Sequence, residues 1–395
     1  MKKHLIGIGG AGMSALATAL KSLGCEVSGS DRTLGTPGIR FLESLGIKCF
    51  PDDGSGIDAS VDEVVVSTAI ESDNPGIAAA KRLSIPVVHR AKALAKALEG
   101  RKLVAVAGTC GKSTVCAMLG HVLAEAGLDP FAVNGANVTG WTGAVLPGRG
   151  DLAVAEVDES DKSLVAFSPY AAIVTNASAD HYSKEEMDEV FDAFVSGCPG
   201  PVVDGRKIYG EADVSQPGRH NRQNAFMALE MAKALGVDET VARKALTTFR
   251  GVERRLQRYA ANVYDDYAHN PEKLKAMWET LAAEHPGGIC AVWRPHGYAP
   301  LRKMMDALAA MFRSVMGPRD ALLLLPVYDA GGTADRSVSS SDLAAKVPGA
   351  VTVASYDEAL GWINDRKGAY AAYAVCGARD PFLPELARRI AAATS

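Results

Sequence analysis

The sequence predicts an α/β protein of three successive domains, and three observations carry that prediction. Apolar strand-like runs alternate with helical segments along the whole chain. Two glycine-rich turns, at 7–12 and 108–111, each stand between such a strand and such a helix. The length of 395 residues exceeds what one ordinary core organises and calls for two or three domains.

The first domain is expected over 1–97. HLIGIGG is an apolar strand entering Gly7-Ile8-Gly9-Gly10-Ala11-Gly12, MSALATALKSLG continues as a helix to Gly24, and CEVSGSD is a second strand finishing at Asp31. Strand, GxGxxG, helix, strand and acid make a Rossmann-like half. The glycines let the backbone approach a diphosphate, and the helix N-terminus offers it free N–H groups. VDEVVVSTAI and IPVVHRAKALAKAL extend this domain, and the charged EGRK precedes a new apolar strand.

The second domain, 98–250, opens with AVAGTCGKSTV. Gly108-Thr109-Cys110-Gly111-Lys112-Ser113-Thr114 fits the second half of a Walker A loop, with Val106 where the strict pattern has its first glycine. Amides around Gly108 and Gly111 can cradle phosphate oxygens, Lys112 can neutralise their charge, and Ser113 can ligate a magnesium ion. LAVAEVDESDKSL is a strand ending in Glu156, Asp158, Glu159 and Asp161, the place where a nucleotide enzyme holds its metal. Glu156 stands out because it follows the apolar LAVA directly. AAIVTNASADHYS is another strand, closing on Asn176, Asp180 and His181. Further on, PGRHNRQNAFMALEMAKALG is a helix whose exposed start, Arg219-His220-Asn221, can meet a base edge. Arg254 and Arg255 are fixed cations suited to phosphate.

The third domain, 251–395, alternates strands and helices again and predicts another parallel sheet. Its strands run out into Asp265, Asp266 and His269, and into His296 and Tyr298, where open α/β sheets bind ligands.

Bulk properties narrow the function. A net charge of −4 gives no general basic surface, so nucleic acid is not expected as a partner. No run of 18 apolar residues exists to span a membrane. The apolar N-terminus is glycine-rich and has no small-residue cleavage site before a polar start, unlike a signal peptide. Seven scattered cysteines, none in C-x-x-C spacing, suggest free thiols in a reducing cytoplasm.

Together GIGGAGMSALA, VSGSD, AVAGTCGKST, AEVDESDKS, IVTNASADH, GRHNRQNA, FRGVERR, YDDYAHNP, PHGY and VYDAGG resemble, in order, the motifs of the Mur ligases. These ATP-dependent enzymes join amino acids to the UDP-muramoyl precursor of peptidoglycan. The resemblance implies their three-domain architecture: a Rossmann-like substrate domain, a P-loop ATPase domain and a Rossmann-like C-terminal domain. It implies ATP and Mg²⁺ as cofactors, a UDP-sugar acid and an amino acid as small-molecule substrates, and a cytoplasmic monomer or homodimer. By the same resemblance Gly9, Gly10, Gly12 and Ser14 hold the UDP diphosphate, with Asp31 near that ligand. Gly108, Thr109, Gly111, Lys112 and Thr114 bind ATP phosphates, Ser113 and Glu156 hold one metal, and His181 a second. His220, Asn221 and Asn224 flank the adenine, Arg255 reaches the γ-phosphate, and Asp266 meets the ribose. His269 faces the incoming amine as a base, and His296 and Tyr298 bind the amine substrate. The implied chemistry makes an acyl phosphate from the γ-phosphate and a carboxylate; an amine then displaces phosphate.

Four departures qualify this expectation. Cys110 replaces the family's usual histidine, and Asn270 replaces a second one. Gly297 and Pro300 stand where the resemblance expects two arginines that clamp an amino-acid carboxylate; Arg302 is a substitute from a different place. Only PVVDGRKIYGEADVSQ stands where relatives have several more strands, so the central domain reads as shortened. Three readings therefore stay open: ligation of L-alanine to UDP-N-acetylmuramate; the same chemistry on another carboxylate, such as a recycled muropeptide; and a nucleotide-binding regulator without turnover.

Overall fold

The structure is a computed structural model that describes residues 1–157, 163–177, 184–329 and 334–394. It divides into two compact units, Met1–Val252 and Glu253–Ser395. Each of the three sheets is α/β in character, as the sequence predicts.

The first unit begins with β1 (Lys2–Ile6), α1 (Ala11–Ser22), β2 (Glu26–Asp31), α2 (Pro37–Ser44), β3 (Lys48–Pro51), β4 (Glu63–Val66), α3 (Pro75–Arg82), β5 (Val87–His89) and α4 (Arg90–Ala97). The strands form a parallel sheet in the order β3-β2-β1-β4-β5. The chain leaves β1 toward β2 on one side and returns to β4 on the other. That reversal opens a crevice above the C-terminal end of β1, where the first glycine turn lies.

A second sheet follows in the same unit, built from β6 (Lys102–Ala107), β7 (Phe131–Val133), β8 (Val145–Pro147), β9 (Leu152–Glu156), β10 (Ala171–Val174) and β11 (Val202–Asp204). Its order is β11-β10-β6-β9-β7-β8, parallel except for the β7–β8 pair. Helices α5 (Lys112–Glu125), α6 (Lys184–Ser196), α7 (Arg219–Ala234) and α8 (Glu239–Thr248) accompany it. Helix α5 is apolar almost all round because it lies between the sheet and α7 with α8, and its Val115, Met118, Leu119 and Val122 are fully buried there. The two sheets share a core, with Ala15 and Ala19 of α1 and Ala91 of α4 packed with Phe131, Val133 and Val145.

The second unit comprises β12 (Gln257–Ala260), β13 (Val263–Asp266), α9 (Pro271–Glu284), β14 (Ile289–Trp293), α10 (Tyr298–Val315), β15 (Ala321–Leu324), α11 (Ser340–Ala344), β16 (Ala350–Thr352), α12 (Tyr356–Asn364), β17 (Ala372–Cys376) and α13 (Leu383–Thr394). Its sheet order is β12-β13-β17-β14-β15-β16, parallel apart from antiparallel β12. Strand β17, last in the sequence, therefore lies between β13 and β14. Asp266 of β13, Cys376 of β17 and Trp293 of β14 are level with one another in the sheet. Asn270 caps α9, its side-chain oxygen accepting the Lys273 N–H at 3.0 Å, with Pro271 in the first turn.

Candidate functional site

The loop after β6 is held from its neighbour β10. Asn176 accepts the Thr109 N–H through its carbonyl at 3.2 Å and the Cys110 N–H through its side chain at 2.9 Å. Thr175 Oγ1 and Asn176 Nδ2 donate to the Cys110 carbonyl at 2.6 and 2.9 Å. Gly108 has φ +125°, and any Cβ there would collide with Thr175 Oγ1. Only glycine fits that combination of backbone angle and close approach. Lys112 is the first residue of α5, its Nζ donating to the Gly108 carbonyl at 2.6 Å, and Ser113 and Thr114 behind it are buried. The result is a braced glycine loop at a helix N-terminus with an ammonium beside it. Val106, at the position of the strict motif's first glycine, is a buried residue of β6.

Helix α7 backs this loop. Asn221 and Asn224, one turn apart, both point inward and are buried. Asn224 Oδ1 lies 2.6 Å from where a Gly111 Cβ would stand, and Asn221 Nδ2 donates to the Pro217 carbonyl at 2.7 Å. The expected exposed start of α7 is thus only partly exposed. Arg219 and Arg222 face outward to Glu211 at 2.7 and 2.8 Å, whereas Asn221 is turned in by the helical period. Burial pushes the His220 imidazole down from its usual range, and Arg222 adds to the effect.

The first glycine turn and the end of β9 line one cavity of about 400 Å³. Asp31 braces the turn, its Oδ2 accepting the Gly9 N–H at 2.9 Å, and Ser14 N donates to the Gly10 carbonyl at 2.8 Å. Gly10 and Gly12 line one wall, with Arg90, while Asn134, Gly135 and Glu156 line another. Glu156 Oε2 accepts the Gly135 N–H at 2.7 Å, and a Cβ at Gly135 would stand 2.6 Å from the Glu156 carboxyl carbon. Glu156 is level with Val106, on the strand that leads into the phosphate loop. The Asn134 side chain is 2% exposed, and its Oδ1 has no hydrogen-bond partner among the described residues. A buried orphaned acceptor and a carboxylate on one cavity are hard-oxygen groups of the kind that hold a hydrated divalent cation. Among the described residues no group of three His, Cys, Asp or Glu side chains gathers as a metal cluster. His181, Asp158, Glu159, Asp161 and Asp180 lie outside the described residues.

Arg90 was not singled out by the sequence. As the first residue of α4 it brings its Nη1 within 2.9 Å of where a Gly12 Cβ would stand. The only signal was a cation at the C-terminal end of a strand, in VVHR.

The second unit has its own constellation at the strand ends. Asp266 accepts two backbone N–H groups at 2.7 Å, from Leu256 and Ala268, which ties the Arg254–Leu256 segment to the end of β13. Arg254 is spent on structure: its Nε meets Asp265 at 3.2 Å and its Nη2 donates to the Gly377 carbonyl at 2.6 Å. Arg254 and Arg255 both lie over the Tyr267 ring, each 5.2 Å from its centre. Burial raises the Asp265 carboxyl to about 6 against the pull of Arg254. Burial likewise raises Asp266, with Arg255 opposing.

His269 and His296 meet edge-on with ring centres 4.9 Å apart. Burial, then the Lys273 charge, lowers His269 to about 4; burial, then Arg379, lowers His296 to about 4. His269 Nδ1 lies 2.8 Å from the Tyr267 carbonyl. A carbonyl only accepts, so Nδ1 carries the proton and Nε2 keeps a free lone pair. Tyr298 is not gathered with this pair in the same way. It lines a separate cavity of about 430 Å³ with Ser339, Ser340 and Glu358, and Arg336 lies over its ring. Arg302 is engaged by Asp335 at 2.8 Å.

These features define a P-loop α/β protein with a second glycine turn and a separate C-terminal sheet. Residues 2–102 match the model described as "Mur ligase family, catalytic domain" and residues 254–383 that described as "Mur ligase, glutamate ligase domain". The UDP-N-acetylmuramate–L-alanine ligase of Rubrobacter xylanophilus is 36% identical, covering 86% of this chain and 87% of its own. The enzyme of that name from Methylobacterium nodulans is 32% identical, with 93% and 95% covered. The solved UDP-N-acetylmuramate-alanine ligase of Thermotoga maritima aligns with a TM-score of 0.80 at 25% identity over 99% of this chain and 98% of that one. A murein peptide ligase of Psychrobacter arcticus shares the fold, with a TM-score of 0.67 at 18% identity over 100% and 98%. The chain belongs to the Mur ligase family.

Proposed function

We propose that this protein is an ATP-dependent ligase that joins L-alanine to UDP-N-acetylmuramate through an acyl phosphate. The observation that carries the reading is the braced loop at 108–114, with Lys112 at the start of α5 and Glu156 at the end of the adjoining strand β9. Its support from comparison is the family membership and the relatives that bear this activity in their names. A three-part division of labour, 1–97 for the UDP-sugar acid, 98–250 for ATP and 251–395 for the amine, belongs to the same reading, as does a cytoplasmic location.

In this reading the Gly9–Gly12 turn, Ser14 and Arg90 take the diphosphate of the sugar nucleotide. Gly108, Thr109 and Gly111, with Lys112 and Thr114, take the ATP phosphates, and His220, Asn221 and Asn224 stand toward the adenine. Ser113 and Glu156 would hold a magnesium ion, which would supply positive charge to offset that of the transferring group. A carboxylate oxygen of the acid attacks the γ-phosphorus as the bond to the β-phosphate oxygen breaks, and ADP leaves. Lys112 and Arg255 stabilise the charge spread over the phosphoryl oxygens. The amine nitrogen then attacks the acyl carbon, phosphate departs, and the nitrogen gives up a proton to His269 Nε2. A neutral His269 with that lone pair free is what the step requires.

The test is ADP release from ATP and Mg²⁺ with UDP-N-acetylmuramate and each amino acid in turn, products identified by mass. Turnover that needs both UDP-N-acetylmuramate and L-alanine, and falls at least about 10²-fold in Lys112→Ala, is expected. No stimulation by UDP-N-acetylmuramate with any amine would refute the reading and leave another carboxylate as the acid.

A further inference from the structure

The sheet order of the second unit places three loops side by side. Asp266, Cys376 and Trp293 are level in adjacent strands β13, β17 and β14. Three residues beyond each stand His269, Arg379 and His296. Arg379 thus follows the middle strand, and the two histidines follow the strands on either side of it. Proximity is visible in the charges, since Arg379 helps to lower the His296 imidazole.

The loop that carries Arg379 is fixed on both sides. Arg254 donates to the carbonyls of Gly377 at 2.6 Å and Ala378 at 3.2 Å. The buried Asp380 side chain is held by Arg294 and Tyr356 and accepts the Phe382 N–H at 2.9 Å. Arg379 itself is exposed. Among the described residues it makes no ion pair or hydrogen bond, whereas Arg254, Arg294, Arg302 and Arg336 are each engaged by a carboxylate. A rigid loop presents an uncommitted guanidinium, which is a site prepared for an external anion.

Gly297 explains the space in front of it. Its φ of +156° and ψ of 158° lie in a region that essentially only glycine occupies, so the start of α10 admits no side chain at 297. Arg379 Nη1 lies 3.8 Å from where a Cβ at 297 would stand, so its guanidinium stands at contact distance from the bare backbone there. Arg302, the other candidate, is committed to Asp335.

We propose that Arg379 binds the α-carboxylate of the amino-acid substrate and sets the preference for amino acids over uncharged amines. This inference rests on the ligase reading above. Guanidinium and carboxylate form a charge-assisted, potentially bidentate pair, and the neutral histidines flanking it leave the amine end free for chemistry.

The experiment compares the full-length enzyme with Arg379→Ala and Arg379→Lys, using whichever amino acid the wild type takes and the carboxamide of that amino acid. In Arg379→Ala the KM for the amino acid is expected to rise about 10- to 100-fold, with the KM for ATP within about twofold and the Tm unchanged. The wild type's preference for the acid over its carboxamide should collapse by a similar factor, and Arg379→Lys should retain part of it. Preserved discrimination in Arg379→Ala would overturn the proposal while leaving the ligase reading intact. A wild type that turns over with no amine would sink the ligase reading, and this inference with it, before any variant is made.

Discussion

The loop at 108–114 and the rim formed by the ends of β13, β17 and β14 are built in opposite ways. The first is made of backbone: its glycines are locked against Thr175 and Asn224, and two of its amides are tied to Asn176. The second is made of side chains, His269, His296 and Arg379, each issuing from a different strand. A backbone site tolerates almost no substitution but recognises only what every nucleotide carries. A side-chain site can move a charge from one loop to the next while the sheet beneath it stays the same. The difference teaches that geometry fixes the residues of the loop, whereas the rim can be re-equipped without rebuilding the sheet.

Four experiments break or sharpen this contrast, taken from the largest expected effect to the smallest. Gly108→Ala should abolish ATP binding measured by calorimetry, because a Cβ there meets Thr175 and the φ of +125° is strained, at a cost of about 1–3 kcal/mol. Tight ATP binding in that variant would show that the loop is not backbone-defined. Glu156→Gln keeps an acceptor for the Gly135 N–H but removes the charge, so turnover should fall about 10²-fold with a raised Mg²⁺ requirement and little change in Tm. Unchanged metal dependence would detach Glu156 from that role.

The third experiment is a histidine NMR titration, with His269→Gln and His296→Gln supplying assignments. Neither imidazole should take up a proton until pH falls well below 6.5, since both are lowered to about 4. Between those values the unfolded state binds the more protons, so the stability that these histidines contribute is complete above 6.5 and lost as pH falls toward 4. Buried His4, also lowered to about 4 by burial, acts in the same sense; Asp265, raised to about 6, acts in the opposite one. A midpoint near 6.5 for either rim histidine would contradict the dry, cationic surroundings described. The smallest effect is Arg302→Ala. It removes an exposed, solvent-screened pair with Asp335 and should change the amino-acid KM less than about twofold. A large rise would move the carboxylate contact from Arg379 to Arg302.

The backbone site was legible because its demands are local. Strand, glycines, lysine and helix stand in one short stretch, and each glycine answers a geometric need a few residues away in space. Glu156 was legible for the same reason, as an acid directly after a buried run. Arg379 was not. Nothing near CGARDP says that β17 inserts between β13 and β14, and without that order the equal spacing of His269, Arg379 and His296 from level residues is invisible. Arg90 was hidden likewise, since its approach to Gly12 depends on β4 and β5 lying on the far side of β1. The edge strands β3, β11 and β16 escaped because three or four residues are too few to show a period. The inward turn of Asn221 follows from the face that α7 shows to α5, which composition alone does not reveal.

The core shared by the first two sheets has a practical consequence. Phe131, Val133 and Val145 are covered by Ala15, Ala19 and Ala91. A fragment begun at residue 98 would present that apolar face to water and is a candidate for aggregation, however complete its own sheet. Shuffling of parts between this protein and a relative should respect the same seam: the tolerant junction is the one after Val252, where the first compact unit ends.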